Sequence, residues 1–335
     1  MRCRGFAHVA ATGVVLAFHV RGGASEPSPE AVRAAVQKSI PRLESGTIGS
    51  AEGRKCFTCH SQAIPVFALA EAKSRGFGID EENFERQLEH TEAHLDRGRI
   101  AYAEGRGQGG TVLTAGYALW TLEAGGRTPD DLTAAVTSYL LEYQKDDGHW
   151  SHRGTRPPSS GSDFTATYVA LRGLAYFGTD AQKPLIEARF AQAADWLASE
   201  PPCDTEDCVF RLWALPYVHA SGEAIQAAIA QLIDTQREDG GWAQTSDMES
   251  DVYATGTALV ALLDAGGLST DHHAVRRGVR YLLDTQLDDG TWHVVSRADP
   301  FQTYFESGFP HGKDQFISIT ASSWATLALL RTLSE

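Results

Sequence analysis

The chain has 335 residues, 42% of them hydrophobic, and a formal net charge of −14. This is enough for one large domain or two ordinary ones, with a composition typical of a packed globular protein. The acidic balance and the absence of any Lys/Arg run argue against a nucleic-acid or anionic-membrane surface, because either would need a concentrated basic patch. We therefore expect a small-molecule or protein partner.

The first residues have the pattern of a targeting segment. Two arginines precede a largely apolar stretch from Phe6 to Val20, and small residues follow up to Ala24. The stretch is short for a membrane span, so residues 1–24 predict a secretory signal peptide, with a short retained anchor as the alternative. We expect the mature protein to be exported, periplasmic or extracellular, with no membrane span after signal removal.

Residues 25–105 contain three helix-like runs and the motif Cys56-Phe-Thr-Cys59-His60. Two thiols at this spacing can add to the two vinyl groups of one haem, while the adjacent His60 binds the iron. The motif resembles the attachment site of c-type cytochromes, and export would carry it to the machinery that attaches haem. The resemblance implies a covalent haem c held by Cys56, Cys59 and His60. A Cys56–Cys59 disulfide is the alternative.

After the Gly-rich stretch 105–110, one turn recurs nearly verbatim. A helix-like run precedes each copy, so the repeated unit is a helix, a Gly turn and a Trp. Small residues among large apolar ones mark a second recurring helix that neighbours can approach closely. The three turns are Gln144-Lys-Asp-Asp-Gly-His-Trp150, Gln236-Arg-Glu-Asp-Gly-Gly-Trp242 and Gln286-Leu-Asp-Asp-Gly-Thr-Trp292.

These turns resemble the repeat of squalene-hopene cyclases and protein prenyltransferases. The resemblance implies an all-α fold, an α/α toroid built as a curved or closed ring of antiparallel helical hairpins. We expect this domain at residues 110–335, with residues 25–105 as an appended N-terminal helical cap. The repeat is structural, so it predicts the fold and not the reaction.

A cyclase of this family would protonate an alkene with an unusually acidic carboxyl of an Asp-x-Asp-Asp motif, inside an aromatic-lined cavity. The nearest match is Asp247-Met-Glu-Ser250 followed by Asp251, which lacks the paired aspartates and argues against cyclisation of squalene. Export and an apparently single toroid, where cyclases pair two helical domains, argue in the same direction. The catalytic candidates are Asp163, Asp247 and Asp251.

A prenyltransferase-like zinc site is the other chemistry that the resemblance implies. The segment beginning Glu206-Asp-Cys208 resembles the helix that carries the Asp-x-Cys ligand pair. With Cys203 close by in an oxidising compartment, a Cys203–Cys208 disulfide is the expected use of these cysteines.

Polar and aromatic residues near the ends of the inner helices are candidates for substrate binding. Their alternative role is helix capping and loop-to-loop ion pairing. Some follow the first repeated turn, one begins a later inner helix, and the rest lie in a long loop near the C-terminus, where a substrate mouth could form. The candidates are Arg153, Arg156, Tyr253, Phe309 and His311.

Two functions remain open at this point. The first is a haem-carrying redox or sensing protein whose toroid binds an apolar or isoprenoid-like molecule and which meets a redox partner protein. The second is a haem-free toroid enzyme, cyclase-like or acting on a lipid or glycan.

Overall fold

The computed structural model describes residues 27–154, 156–299 and 303–334. The predicted signal peptide, residues 1–24, lies outside these ranges. The described ranges form thirteen α-helices and contain no β-strand, only two isolated bridges, which confirms the all-α prediction. None of the helices found there is both long and apolar enough to cross a membrane.

Twelve of these helices alternate along the chain between an outer and an inner layer, and we call each outer helix with the inner helix that follows it a hairpin. The outer helices are α1 (Pro29–Gly53), α3 (Glu81–Arg97), α6 (Asp131–Tyr143), α8 (Lys183–Ser199), α10 (Gly222–Asp234) and α12 (His273–Thr285). The inner helices are α2 (Ile64–Ser74), α5 (Thr111–Ala124), α7 (Asp163–Phe177), α9 (Thr205–Ala214), α11 (Val252–Asp264) and α13 (Gln315–Arg331). A short helix, α4 (Arg99–Ala103), packs against α6.

The inner helices form a closed ring. Each contacts the next along the chain, and α13 returns to contact α2, which contacts α5. This confirms the predicted α/α toroid. The sequence supports the arrangement because inner helix α11 has no charged residue before its last position and is buried without interruption from Val252 to Leu262. By contrast, outer helix α12 buries a single stripe and exposes its charged face.

Glycines let two pairs of inner helices approach closely. A Cβ on Gly116 of α5 would lie 2.5 Å from Val169 of α7, and one on Gly256 of α11 would lie 2.9 Å from the backbone of α13. These helices pack so closely that even a methyl group would force them apart. The small residues noted in the sequence therefore set the width of the ring.

The three repeated turns have the same structure. In each, the Gln amide donates to the Gly carbonyl of its own turn and to a carbonyl of the next outer helix. In each, the indole N–H donates to the Leu carbonyl ten residues earlier, at 2.7 to 2.8 Å. The three Trp side chains, predicted to lie at equivalent turns, are fully buried there: Trp150, Trp242 and Trp292.

We expected residues 25–105 to form an appended cap, but helices α1 and α2 from this region are part of the ring itself. Gln286 in the last repeated turn donates to the Ala35 carbonyl of α1, so α1 takes the place of the next outer helix. Ser39 of α1 also bonds Thr326 of α13 at 2.8 Å. Helices α1 and α2 close the toroid, although they lack the sequence signature of the other hairpins.

Candidate functional site

An acidic motif begins inner helix α9. The residues Asp204-Thr-Glu206-Asp207 have the spacing of Asp-x-Asp-Asp, with glutamate at the third position. Asp204 is the N-cap of the helix, and its carboxylate accepts from the Asp207 N–H at 3.0 Å. The cap places Glu206 in the first turn, where it is 3% exposed. The sequence did not lead us to predict Glu206 as a site residue, because its segment resembled a zinc-binding helix and a Cys203–Cys208 disulfide was expected there.

Two hydroxyl groups hold the Glu206 side chain. Thr165 of α7 donates to Oε1 at 2.9 Å, and Tyr253 of α11 donates to Oε2 at 3.0 Å. The carboxyl is therefore fixed between the two inner helices that flank α9.

The surroundings of Glu206 favour the neutral acid. Burial raises its pKa to about 8, and the nearby charge of Asp204 adds to this effect, while the bonds from Thr165 and Tyr253 oppose it. Asp204 itself has a pKa raised to about 6 by burial and by the charge of Asp207. At neutral pH the site thus holds a protonated carboxyl beside acids that ionise more readily.

Tyr117 connects Glu206 with the aromatic interior of the ring. Its hydroxyl is buried and has no hydrogen-bond partner among the described residues. Burial raises the pKa of this phenol, with a further contribution from Glu206. The ring of Tyr117 stacks with Trp120, their centroids 6.1 Å apart. A buried polar atom without a partner is costly, so the Tyr117 hydroxyl is a natural contact for a polar group of a ligand.

An aromatic cavity of about 560 Å³ lies beyond Trp120, toward the ends of the inner helices. Its apolar walls come from all six inner helices and the turn after α9. Arg172 stands over the Trp120 ring, 4.6 Å from its centroid. The volume falls in the range of sites for small organic ligands. The aromatic residues that line it are Phe67, Trp120, Tyr168, Trp213, Tyr217 and Trp324.

The Cys56–His60 segment leads into α2 through a single π-helical turn at the other end of the ring. His60 Nδ1 bonds Ser61 at 2.8 Å, and its Nε2 lies 3.2 Å from Arg156 Nη1. Burial and the Arg156 charge lower the pKa of His60 to about 3, so it is neutral. The ring also packs edge-on against Phe316.

This geometry does not fit the predicted haem, because both ring nitrogens of His60 are already engaged. Cys56 and Cys59 are free thiols, so the alternative disulfide is not formed either. Burial raises the pKa of Cys59 to about 11, so its thiol is not ionised at neutral pH. Within the described ranges no group of three or more His, Cys, Asp or Glu side chains is arranged to hold a metal ion.

Three predicted site residues lie at the helix starts beside Glu206. Tyr253 contacts it directly. Asp251 is the N-cap of α11 and accepts from the Ala254 N–H at 3.0 Å. Asp163 begins α7 and accepts from the backbone and ring of His152, at 2.9 and 2.7 Å. Asp251 and Asp163 thus accept hydrogen bonds at the starts of their helices.

Four other candidates lie apart from Glu206. Asp247 is exposed in a turn and bonds Thr245. Arg153 is also exposed. Phe309 is buried against α1, close to Gly46, and His311 bonds Thr291 at 2.9 Å and stacks on His293. These contacts fasten the long loop before α13 to its surroundings.

The predicted Cys203–Cys208 disulfide is absent. Cys208 is a free thiol, 7% exposed and packed in the core on α9, whereas Cys203 is exposed ahead of the helix. The Asp204 cap starts the helix between them and turns the Cys208 side chain inward. Burial raises the pKa of the Cys208 thiol to about 12.

Comparisons with known proteins agree with this fold. Residues 203–317, about a third of the chain, match the squalene-hopene cyclase C-terminal domain, and the match begins beside the acidic motif. The type II terpene cyclase MstE from Scytonema is similar over 91% of this chain and 98% of its own, at 15% identity and a TM-score of 0.59. The chain has the fold of this cyclase.

Two further structures are similar to this chain. A variant of MstE in complex with geranylgeranyl dihydroxybenzoate, its substrate, covers 91% of this chain and 97% of its own, at 14% identity and a TM-score of 0.60. A possible member of the GH105 family from Klebsiella pneumoniae covers 95% and 98%, at 13% identity and a TM-score of 0.50. No curated protein matches the sequence significantly.

Proposed function

We propose that this protein is a toroid enzyme that uses Glu206 as a general acid to cyclise an isoprenoid chain. The observation that carries the proposal is the neutral, fully buried Glu206, held by Thr165 and Tyr253 at the third position of an Asp-x-Asp-Asp-like motif. A carboxyl that keeps its proton at neutral pH can deliver it to a bound substrate.

The acid strength of Glu206 selects among substrates. An acid with a pKa of about 8 is a weak proton donor, so it suits an epoxide oxygen better than an isolated double bond. Protonation of the oxygen breaks a C–O bond and leaves a hydroxyl and a carbocation. A double bond of the same chain attacks that cation, a C–C bond closes the ring, and loss of a proton ends the reaction. The product is an isomer of the substrate.

The aromatic cavity suits the cationic intermediates. The rings of Trp120, Trp213 and Trp324 form a continuous cluster, with neighbouring centroids 5.4 to 6.1 Å apart. Aromatic faces attract a positive charge, and the attraction is stronger where the charge is desolvated. Trp120 lines the cavity and stacks on Tyr117, whose unpartnered hydroxyl we expect to bond the oxygen that Glu206 protonates.

Two comparisons support the isoprenoid class. The family match begins beside the motif that contains Glu206, and the similar cyclase MstE binds a geranylgeranyl substrate in a toroid of comparable length. Because the present chain covers 98% of MstE, a single toroid is no argument against cyclisation. The motif at Asp204 likewise removes the objection drawn from the poor match at Asp247. Export of the protein stays a prediction.

The proposal is tested by incubating the purified protein with squalene, geranylgeraniol and the terminal epoxide of each, then separating isomers by gas chromatography and mass spectrometry. We expect isomeric cyclic products, with the epoxides converted faster. Glu206→Gln keeps the shape of the side chain but has no acid proton, so it should lower the rate at least about a hundredfold.

Glu223→Gln is the matched control, because Glu223 is an exposed acid on outer helix α10. It should leave the rate unchanged. Product formation by Glu206→Gln at the wild-type rate, or the absence of cyclic isomers from every substrate, would contradict the assignment.

The covalent haem is a separate prediction that a visible spectrum tests. Protein made in a host that attaches c-type haem should be colourless if the packing around His60 persists. A Soret band that stays with the polypeptide after acid-acetone extraction, and that is lost in Cys56→Ala/Cys59→Ala, would instead establish the haem-carrying redox or sensing role and require His60 to leave Arg156.

A further inference from the structure

The open end of the aromatic cavity carries ion pairs. We call this end the mouth and define it by Glu71, Glu123, Arg172, Asp264 and Arg331. All five lie near the C-terminal ends of inner helices, opposite to Glu206. The side chains of Arg331 and Asp264 keep 30% and 36% exposure, so the cavity reaches solvent here. A ligand that enters at this end must pass these charges.

Each arginine of the mouth is matched by carboxylates. Glu123 binds Arg172 with both oxygens, at 2.6 Å to Nε and 2.9 Å to Nη2, while Arg172 Nη1 bonds the Tyr168 hydroxyl at 2.9 Å. The fork of Arg172 that would otherwise grip a carboxylate or phosphate is thus occupied from within the protein. On the opposite side of the mouth, Arg331 is matched by charge, although its Nε makes no hydrogen bond among the described residues.

Arg331 pairs with two acids. Its Nε lies 2.9 Å from Asp264 Oδ1, and its Nη1 contacts Glu71. Glu71 also pairs with Arg75, so three arginines face three carboxylates around the opening. An anionic ligand would have to displace a half-buried carboxylate from its arginine and then lie beside that displaced charge, which is unfavourable.

Uncharged polar groups are available at the same place. The hydroxyl-bearing side chains of Ser74 and Tyr217 line the cavity beside the arginines. Hydroxyls can both donate hydrogen bonds to and accept them from an alcohol or a hydroxylated ring, and these bonds form without breaking an ion pair.

We propose that Glu123 and Asp264 are specificity-determining residues, which neutralise Arg172 and Arg331 so that the cavity takes an isoprenoid with an uncharged polar end. The site discriminates against the same chain carrying a carboxylate or a diphosphate. This inference rests on the proposed function for the isoprenoid chain itself. It adds which end group the chain carries and which residues select it.

The test is a binding measurement that does not depend on turnover. Three tryptophans line the cavity, so ligand binding should change the intrinsic fluorescence. Geranylgeraniol, geranylgeranoic acid and geranylgeranyl diphosphate share one chain and differ in the end group. We expect the wild-type protein to bind the alcohol at least about tenfold more tightly than the diphosphate.

Glu123→Gln removes the single carboxylate partner of Arg172, and Asp264→Asn leaves Arg331 with Glu71 as its one carboxylate partner, both without changing side-chain size. Each should improve binding of the acid and the diphosphate at least about tenfold and leave binding of the alcohol nearly unchanged. Glu223→Gln is again the matched control and should bind all three ligands like the wild type. Two different variants keep the test informative if one of them folds poorly.

Tighter binding of the diphosphate than of the alcohol by the wild type, or unchanged selectivity in both variants, would overturn the inference. If the alcohol binds selectively but no substrate is cyclised, the role of Glu206 is wrong and the selectivity of the mouth stands. If none of the three ligands binds, the isoprenoid assignment fails and this inference fails with it.

Discussion

At the scale of single residues, the chemistry depends on one carboxyl. The surroundings of Glu206 act on its charge in opposite directions: burial and Asp204 disfavour the ionised form, whereas the hydrogen bonds from Thr165 and Tyr253 favour it. The same side chain on the surface would be ionised at neutral pH. Glu206 therefore keeps its proton at neutral pH because tertiary packing raises its pKa, and this raised pKa makes the stability of the protein depend on pH.

We predict that Glu206 lowers stability as the pH rises. In the unfolded chain the carboxyl ionises near pH 4.5, but in the folded protein it keeps its proton up to about pH 8. Between these values the folded state binds more protons, so the free energy of unfolding falls with increasing pH, by about 1.4 kcal/mol for each unit of pKa difference. Glu206→Gln should remove this contribution to the pH dependence of the free energy of unfolding. Urea unfolding at several pH values between 4.5 and about 8 measures it.

The comparison with Glu223→Gln isolates the effect, because other buried acids such as Asp204 contribute equally in both variants. The Glu223 variant should keep the wild-type pH dependence. An unchanged slope in Glu206→Gln would mean that Glu206 is ionised in the folded protein, which would also remove the basis of its role as an acid.

At the scale of elements, the Gln side chain of each repeated turn joins two hairpins. Gln286 donates to the Gly290 carbonyl at 3.0 Å and to the Ala35 carbonyl of α1 at 2.9 Å. The second bond links the last turn of the ring to its first helix. Both accepting carbonyls belong to partly or fully buried residues, so losing the donor leaves them poorly satisfied.

We predict that Gln286→Ala lowers the free energy of unfolding by about 1–3 kcal/mol, because two bonds to backbone carbonyls are lost in a partly buried place. Urea unfolding followed by circular dichroism measures it. Gln226→Ala, at an exposed position of α10, is the matched control and should change stability by less than about 0.5 kcal/mol. Equal stability of the two variants would show that the turn does not hold the ring closed.

At the scale of the whole molecule, closure of the ring brings distant parts of the sequence together. Phe67 of α2 stacks on Trp120 of α5, with centroids 4.2 Å apart, and lies 6.3 Å from Trp324 of α13. The cavity therefore has walls from both ends of the chain. Without α2, the ring would have a gap between α5 and α13, and the aromatic cluster would be open to water.

The sequence alone predicted the helices, the repeat and the toroid. It did so because much of each turn is local: the Gln bonds the Gly carbonyl of its own turn and the Trp bonds the helix before it, so each copy of the turn has the same geometry. The apolar, small-residue pattern of the inner helices likewise follows from burial on all sides, which any inner position requires.

The place of the N-terminal region could not be read from such a pattern. Helices α1 and α2 carry no repeat signature, and the contacts that make them the sixth hairpin join residues as far apart as Ser39 and Thr326. The candidate site was equally hidden. The acidic motif was missed because it has glutamate in place of aspartate at the third position. The Cys56–His60 motif predicted a haem site, but its histidine is hydrogen-bonded to Arg156.

The sequence by itself thus determined the architecture, because a repeated local unit must bury its apolar face against its neighbours. Only the tertiary structure decided which acid keeps its proton, which cysteines stay apart and which arginines at the mouth are neutralised. Those properties depend on burial and on charges brought together from different hairpins. Glu206 and its partners Thr165 and Tyr253 come from three inner helices, so the spacing of these residues along the chain does not predict that they are in contact.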